Sequence, residues 1–213
     1  MHERGFLEGD EIANTFSMLR SNDLIWSFVI NNYLMGKEPF PFDLLFWNSD
    51  STRMPAAVQS FYLRQMYLEN KLVESCGVEL AGVKLNLRCI KVPTYIISTR
   101  EDHIAPWKST YHATQLYKGP VKFVLAGSGH IAGIVNHPSG RKYGYWTNVK
   151  KEKTANDWFD GAKQHEGSWW PDWGVWLKKQ SGKDRLLARM PGKCGLQALA
   201  NAPGFYVMTK AVD

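Results

Sequence analysis

Val92-Pro93-Thr94-Tyr95-Ile96-Ile97-Ser98, running into Thr99-Arg100-Glu101-Asp102-His103, is the stretch that decides the fold. A short β-branched and aromatic run followed by a polar loop is the pattern of a strand buried on both faces of a parallel sheet. Residues from Pro106 to Tyr117 read as a helix, which Gly119-Pro120 ends. Val121-Lys122-Phe123-Val124-Leu125 is the next strand, and it passes into Ala126-Gly127-Ser128-Gly129-His130. Strand, loop, helix, strand, loop is the grammar of an α/β fold.

Two polar residues, Asp102 and His130, fall just past the carboxyl ends of these strands. Open α/β sheets place their sites there. In the α/β-hydrolase arrangement the chain order is nucleophile, acid, histidine, each on a loop after a strand. Asp102 then His130 matches the second half of that order. The chemistry needs both: imidazole deprotonates a nucleophile, and a carboxylate fixes its tautomer and stabilises the imidazolium. Gly127, Ser128, Gly129, Ala132 and Gly133 are small enough for a tight loop around the histidine. The nucleophile is missing from the pattern. The 213 residues hold no G-x-S-x-G or G-x-C-x-G elbow; Ser75-Cys76-Gly77 lacks the first glycine, Cys89 opens a loop or strand, and Cys194 follows His130 in the wrong order. On the residues alone, an ordinary loop acid and a core-edge histidine remain an equal reading.

Outward from this centre the sequence is helical on the amino-terminal side. Residues 10–34 carry apolar positions at helical spacing, with Asp10 as expected N-cap, a second helix starting near Ser21-Asn22-Asp23 and Gly36 as its stop. Pro39-Phe40-Pro41-Phe42 predicts an extended segment into Leu44-Leu45-Phe46-Trp47, then a turn at Asn48-Ser49-Asp50-Ser51, and residues 56–72 are again helical. Polar, turn-rich sequence fills 136–153. A last helix carries Trp169, Trp170, Trp173 and Trp176, whose spacing puts 169, 173 and 176 on one face, as core packing requires. His103 is expected to pack behind Asp102, His137 to lie in a loop, and His112 and His165 to be structural in helical stretches. The divisions drawn are 1–79, 80–182 and 183–213.

Composition narrows the function classes. Hydrophobic residues make up 44% and aromatics 13%, with nine tryptophans, so a packed core is expected. The net charge of +6 is concentrated at the end: residues 177–213 hold seven Lys/Arg against two Asp. That makes a basic, irregular tail, solvated or in contact with an anionic surface. No nucleic-acid module is present. Three cysteines at irregular spacing favour neither disulfides nor a zinc site and suit a reducing, cytoplasmic setting. The start, Met1-His2-Glu3-Arg4-Gly5, has no signal-peptide pattern, and Leu24 to Ile30 is too short an apolar run to span a bilayer, so no transmembrane segment is expected.

Five strings then carry a resemblance. Leu19-Arg20-Ser21-Asn22-Asp23-Leu24-Ile25-Trp26, Pro41-Phe42-Asp43-Leu44-Leu45-Phe46-Trp47-Asn48, the Val92–Ile104 segment, Ser128-Gly129-His130-Ile131-Ala132-Gly133 and Gly167-Ser168-Trp169-Trp170-Pro171-Asp172-Trp173 resemble, in order, segments of class I poly(3-hydroxyalkanoate) synthases (poly-beta-hydroxybutyrate polymerases). The resemblance covers residues of about 10 to 176. It implies a partial α/β-hydrolase fold: the C-terminal strands and helices of the catalytic core, plus a mostly helical cap or lid segment. It implies an acyltransferase that polymerises (R)-3-hydroxyacyl-CoA, of short chain such as 3-hydroxybutyryl-CoA, into polyhydroxyalkanoate with release of CoA. The family's cysteine carries the growing polyester as a thioester; by resemblance His130 activates it and Asp102 acts on the hydroxyl of the incoming unit. The cysteine's lipase-like box has no counterpart in these residues, so the chain is expected to be a fragment inactive alone. Further implications are a homodimer when full length, the polyester granule surface as partner, a cytoplasmic location and no cofactor beyond the coenzyme A thioester substrate. Two other readings stay open: a non-catalytic remnant binding synthase or granule, and another α/β-hydrolase esterase.

Overall fold

The computed structural model describes residues 1, 3–39, 50–182, 186–190, 192–193 and 195–209. The expected extended run from Pro41 to Trp47, Cys194 and part of the basic tail lie outside these residues. The chain forms two compact units, Met1–Glu69 with Leu187–Asp213, and Asn70–Leu186.

The first unit is mostly helical. Strand β1 (Phe6–Leu7) leads into helix α1 (Gly9–Leu19), then into wide-turn helical segments at Asn22–Trp26 and Val29–Leu34. The N-cap of α1 is Glu8, not Asp10 as the sequence suggested, because Glu11 lies three residues on and its carboxylate accepts the Glu8 amide. Gly36 follows the second segment at φ +64°, a left-handed stop that glycine adopts without cost. Strand β2 (Met54–Pro55) pairs antiparallel with β1, and helix α2 (Ala56–Phe61) continues as a wide turn over Tyr62–Leu68. Trp26, Phe28, Tyr33 and Leu34 in this unit stay exposed.

The second unit holds the chemistry-bearing residues. It opens with a hairpin of β3 (Val78–Leu80) and β4 (Val83–Leu85), closed by Ala81 and Gly82, both at positive φ as a two-residue hairpin turn demands. This hairpin straddles the 79/80 division drawn from the sequence, and the compact unit begins ten residues earlier, at Asn70. Next come β5 (Thr94–Thr99), the short helices α3 (Trp107–Tyr111) and α4 (Ala113–Leu116), and β6 (Val121–Ala126). They occupy the places the sequence predicted. Strands β5 and β6 pair in parallel over their full length, Thr94 opposite Val121 through Thr99 opposite Ala126.

Two further strands, β7 (Gly144–Thr147) and β8 (Lys163–Glu166), add antiparallel, giving a mixed sheet in the order β5-β6-β7-β8. The expectation of turns throughout 136–153 is therefore corrected at β7. His165, expected in a helix, lies instead on β8, where Thr147 Oγ1 meets its Nε2 at 2.8 Å and Tyr145 stacks on its ring at 4.8 Å. Lys163-Gln164-His165-Glu166 has no apolar alternation to announce a strand; cross-strand partners supply what the local sequence lacks.

Strand β6 shows why this sheet folds. Its side chains alternate, so Phe123 and Leu125 face one layer while Val124 and Ala126 face the other. On the first face Tyr111 and Trp158, from α3 and helix α5 (Ala155–Asp160), close over Phe123 with edge-to-face rings at 5.1 and 4.9 Å. On the second, Trp169 packs at the start of helix α6 (Trp170–Gln180), stacked on Tyr95 of β5 at 6.1 Å. Both layers are buried, as a central strand with helices on both faces requires. Trp169 and Trp176 of the tryptophan helix both lie against the Tyr95 ring. Asp172 fixes the same helix, accepting from Tyr95 Oη at 2.9 Å and Lys122 Nζ at 2.7 Å.

Candidate active site

Parallel pairing of β5 and β6 puts the loops that follow them side by side. The pairing runs past the strands: the Arg100 amide donates to Ala126 O at 2.8 Å and the Glu101 amide to Ser128 O at 3.1 Å. Asp102 lies one residue beyond the second of those bonds and His130 two, and they meet, Asp102 Oδ2 to His130 Nδ1 at 2.7 Å. Two residues picked out for their positions at strand ends are thus brought into direct contact across 28 positions of sequence.

Every lone-pair direction on the Asp102 carboxylate that matters has a donor. Oδ1 accepts the amides of Ile104 at 2.8 Å and Ala105 at 2.9 Å, and Oδ2 takes His130 with Thr99 Oγ1 at 3.4 Å. The side chain is 8% exposed, whereas that of His130 is 46% exposed. Burial pushes the Asp102 carboxyl pKa up, but the Ala105 amide, His130 and the Ile104 amide together outweigh it, and the net shift is downward. Asp102 is therefore a carboxylate at neutral pH. A carboxylate only accepts, so Nδ1 of His130 carries a hydrogen, and in the neutral ring Nε2 is then the acceptor. An imidazole held in that tautomer, with its far edge open, can take a proton from a nucleophile.

The histidine loop is shaped by close contacts. Ser128 takes φ +73°, a conformation costly for a residue with a side chain, which marks a local constraint at the site. A Cβ on Gly133 would lie 2.5 Å from both Gly127 O and Thr99 Cγ2. Only glycine lets the turn after His130 close onto the end of β5. That turn is helical, with Gly133 N donating to Gly129 O and Val135 N to Ile131 O. Its carbonyls then receive two indoles: Trp169 Nε1 donates to Gly133 O at 3.1 Å and Trp170 Nε1 to Ile134 O at 2.9 Å.

Sequence reasoning found the pair and missed its supports. The two amides on Asp102 belong to an Asx-type turn, and Asp102 followed four residues later by Pro106 was its available signal. Nothing local announced Thr99 or the indoles. Cys76 is no elbow: it has φ +60° in a turn between a 3-10 segment (Lys71–Val73) and β3, not between a strand and a helix. Cys76 and Cys89 are free and exposed. Among the described residues no helix is long and apolar enough to cross a membrane.

No protein-family model matches the chain. It is 52% identical over 212 residues to the poly(3-hydroxyalkanoate) polymerase of Methylorubrum extorquens, which covers 99% of this chain and 35% of that protein. It is 47% identical over 205 residues to the poly(3-hydroxyalkanoate) polymerase subunit PhaC of Cupriavidus necator, 96% of this chain and 35% of that one. Poly(3-hydroxyalkanoate) polymerase 2 of Ectopseudomonas oleovorans is 40% identical over 209 residues, 98% of this chain and 37% of its own. The chain spans about a third of the length of these relatives and matches them over nearly all of itself. Identity at this level across so many residues makes the chain a member of the poly(3-hydroxyalkanoate) polymerase family.

Proposed function

We propose that these residues form the C-terminal part of a polymerase catalytic domain of α/β-hydrolase type and supply the acid–base half of its active site. The polymerase joins (R)-3-hydroxyacyl units from their coenzyme A thioesters into polyester, with short acyl chains such as 3-hydroxybutyryl-CoA as substrate. The single observation that carries the reading is the 2.7 Å contact between Asp102 and His130 at the ends of adjacent parallel strands. His130 Nε2 takes the proton of a cysteine thiol supplied from outside these 213 residues. The thiolate attacks the substrate's thioester carbonyl, the carbon–sulfur bond to CoA breaks, and the proton leaves with the CoA thiolate. Asp102 holds the imidazole, and its carboxylate is the base for the hydroxyl of the incoming unit. The names of the relatives support the polyester product. The same reading brings a growing polyester chain, its granule surface, a second polymerase copy and a cytoplasmic location.

The test is a chimaera in which these 213 residues replace the matching third of the Methylorubrum extorquens polymerase. CoA release from 3-hydroxybutyryl-CoA is expected in the parent chimaera and absent from its Asp102→Ala and His130→Ala variants. Turnover within tenfold of the parent in either variant would sink the assignment.

A further inference from the structure

The turn that follows His130 ends in carbonyls with no helical partner of their own. A helical turn leaves its last carbonyls without intrahelical donors, and such groups, where buried, need others. Gly133 is buried, and its carbonyl faces the 8%-exposed Trp169, whose Nε1 donates at 3.1 Å. The next carbonyl, Ile134 O, takes Trp170 Nε1 at 2.9 Å. Two adjacent indoles thus hold two adjacent carbonyls, three and four residues beyond the histidine. Both indoles stand at the first turn of a helix whose own position is fixed elsewhere, by Asp172 on Tyr95 and Lys122 and by the ring stack of Trp169 on Tyr95. Tyr95 belongs to β5, the strand that delivers Asp102. The arrangement is therefore a closed frame. The strand that carries the acid holds the tryptophan helix, and the tryptophan helix holds the loop that carries the histidine.

We propose that Trp169 and Trp170 are positioning residues for catalysis: their indole N–H groups set the distance and angle of His130 against Asp102. The inference rests on the proposed acid–base role of that pair. Ring packing alone cannot account for the arrangement. Trp173 also packs on Trp169, at 6.1 Å, but lies 41% exposed and away from the loop carbonyls. The rings touch this segment too, Ile134 against the Trp169 cluster and His137 5.6 Å from the Trp170 ring, but only the N–H groups hold its backbone. Phenylalanine retains an aromatic ring in the core while removing the donor.

The experiment uses the same chimaera with Trp169→Phe, Trp170→Phe and, for comparison, Trp173→Phe. Amide hydrogen exchange of the peptide spanning 128–136 and steady-state CoA release are both measured well below the melting transition. We expect exchange of that peptide to quicken at least threefold in the first two variants. Their kcat should fall about tenfold with KM within twofold, since substrate contacts are untouched. Trp173→Phe should match the parent in both readouts. Unchanged exchange in Trp169→Phe and Trp170→Phe would overturn the proposal, and so would faster exchange with kcat kept within twofold. A kcat loss of equal size in Trp173→Phe would overturn it too, by assigning the effect to ring packing. Failure of the underlying reading looks different: His130→Ala would then turn over substrate, whatever the tryptophan variants do.

Discussion

Replacing Asp102 by asparagine exchanges one oxygen for an NH2 group and, by the geometry, inverts the histidine. The backbone amides of Ile104 and Ala105 point at Oδ1 from 2.8 and 2.9 Å and belong to a turn that cannot rotate away. The asparagine carbonyl oxygen must take that place, because the alternative sets an NH2 group against two N–H donors. Its NH2 then faces His130 Nδ1, where the carboxylate stood at 2.7 Å. Nδ1 becomes an acceptor, the ring hydrogen moves to Nε2, and the nitrogen that should receive a proton already holds one. The folded state loses little, since both amides keep their acceptor. The contact to the imidazole survives with its direction reversed, and exchanging a charge-assisted hydrogen bond for a neutral one costs about 0.5–1.5 kcal/mol. Turnover loses far more, because general base catalysis of this kind contributes about 10²- to 10⁴-fold. CoA release by the chimaera carrying Asp102→Asn should fall by that range, while the thermal midpoint moves by only about a few degrees. Activity within threefold of the parent would refute the reasoning, because it would mean that neither the tautomer of His130 nor the Asp102 carboxylate as base matters.

The other predictions concern stability and the shape of the loop. The folded Asp102 carboxyl has a pKa below its unfolded value, so it adds stability that is present above the unfolded pKa and lost as pH falls through the folded one. Denaturant midpoints of the parent and Asp102→Asn should therefore converge below a pH of about 4; a gap that stays constant from pH 7 to pH 3 would contradict this. Gly133→Ala places a methyl 2.5 Å from Gly127 O and Thr99 Cγ2, a clash expected to cost about 1–3 kcal/mol and to shift the histidine. A melting curve and CoA release both at parental level would show that the loop has more room than these distances allow. Trp158, 2% exposed between Tyr111 and Phe123, should cost about 3–5 kcal/mol when cut to alanine, read from chemical denaturation. A loss under about 1 kcal/mol would place the core elsewhere.

The parts of this fold that were legible in the sequence are those whose cause is local. Strand β6 announces itself because Val121-Lys122-Phe123-Val124-Leu125 is apolar, β-branched and bounded by Gly119-Pro120 and Gly127. Asp102 and His130 can be picked out together because both follow strand ends, and the parallel register brings them into contact. Strand β8 was illegible because Lys163-Gln164-His165-Glu166 has no pattern of its own; only β7, with Tyr145 against His165 and Thr147 against Lys163, makes it a strand. The N-cap of α1 is hidden in the sequence because Asp10 is the more usual cap residue, whereas Glu8 caps only through its reciprocal pairing with Glu11.

The tryptophan helix shows the same division inside one element. Its spacing puts 169, 173 and 176 on one face, and Trp169 and Trp176 do pack against Tyr95, but Trp173 on the same face is 41% exposed rather than in the core. The spacing said nothing of where the indole nitrogens point, since that depends on a loop 36 residues earlier. An indole that only packs would satisfy its N–H wherever a carbonyl or water was at hand. Here two successive indoles satisfy two successive carbonyls of the histidine loop, and the loop in turn can approach them only because Gly133 has no side chain. The glycine-rich loop and the tryptophan pair are separate motifs in the sequence and a single device in the structure. Swapping only one of them for a differently shaped loop or helix should therefore disturb His130 more than swapping both together from one relative, as coupling through a shared contact requires.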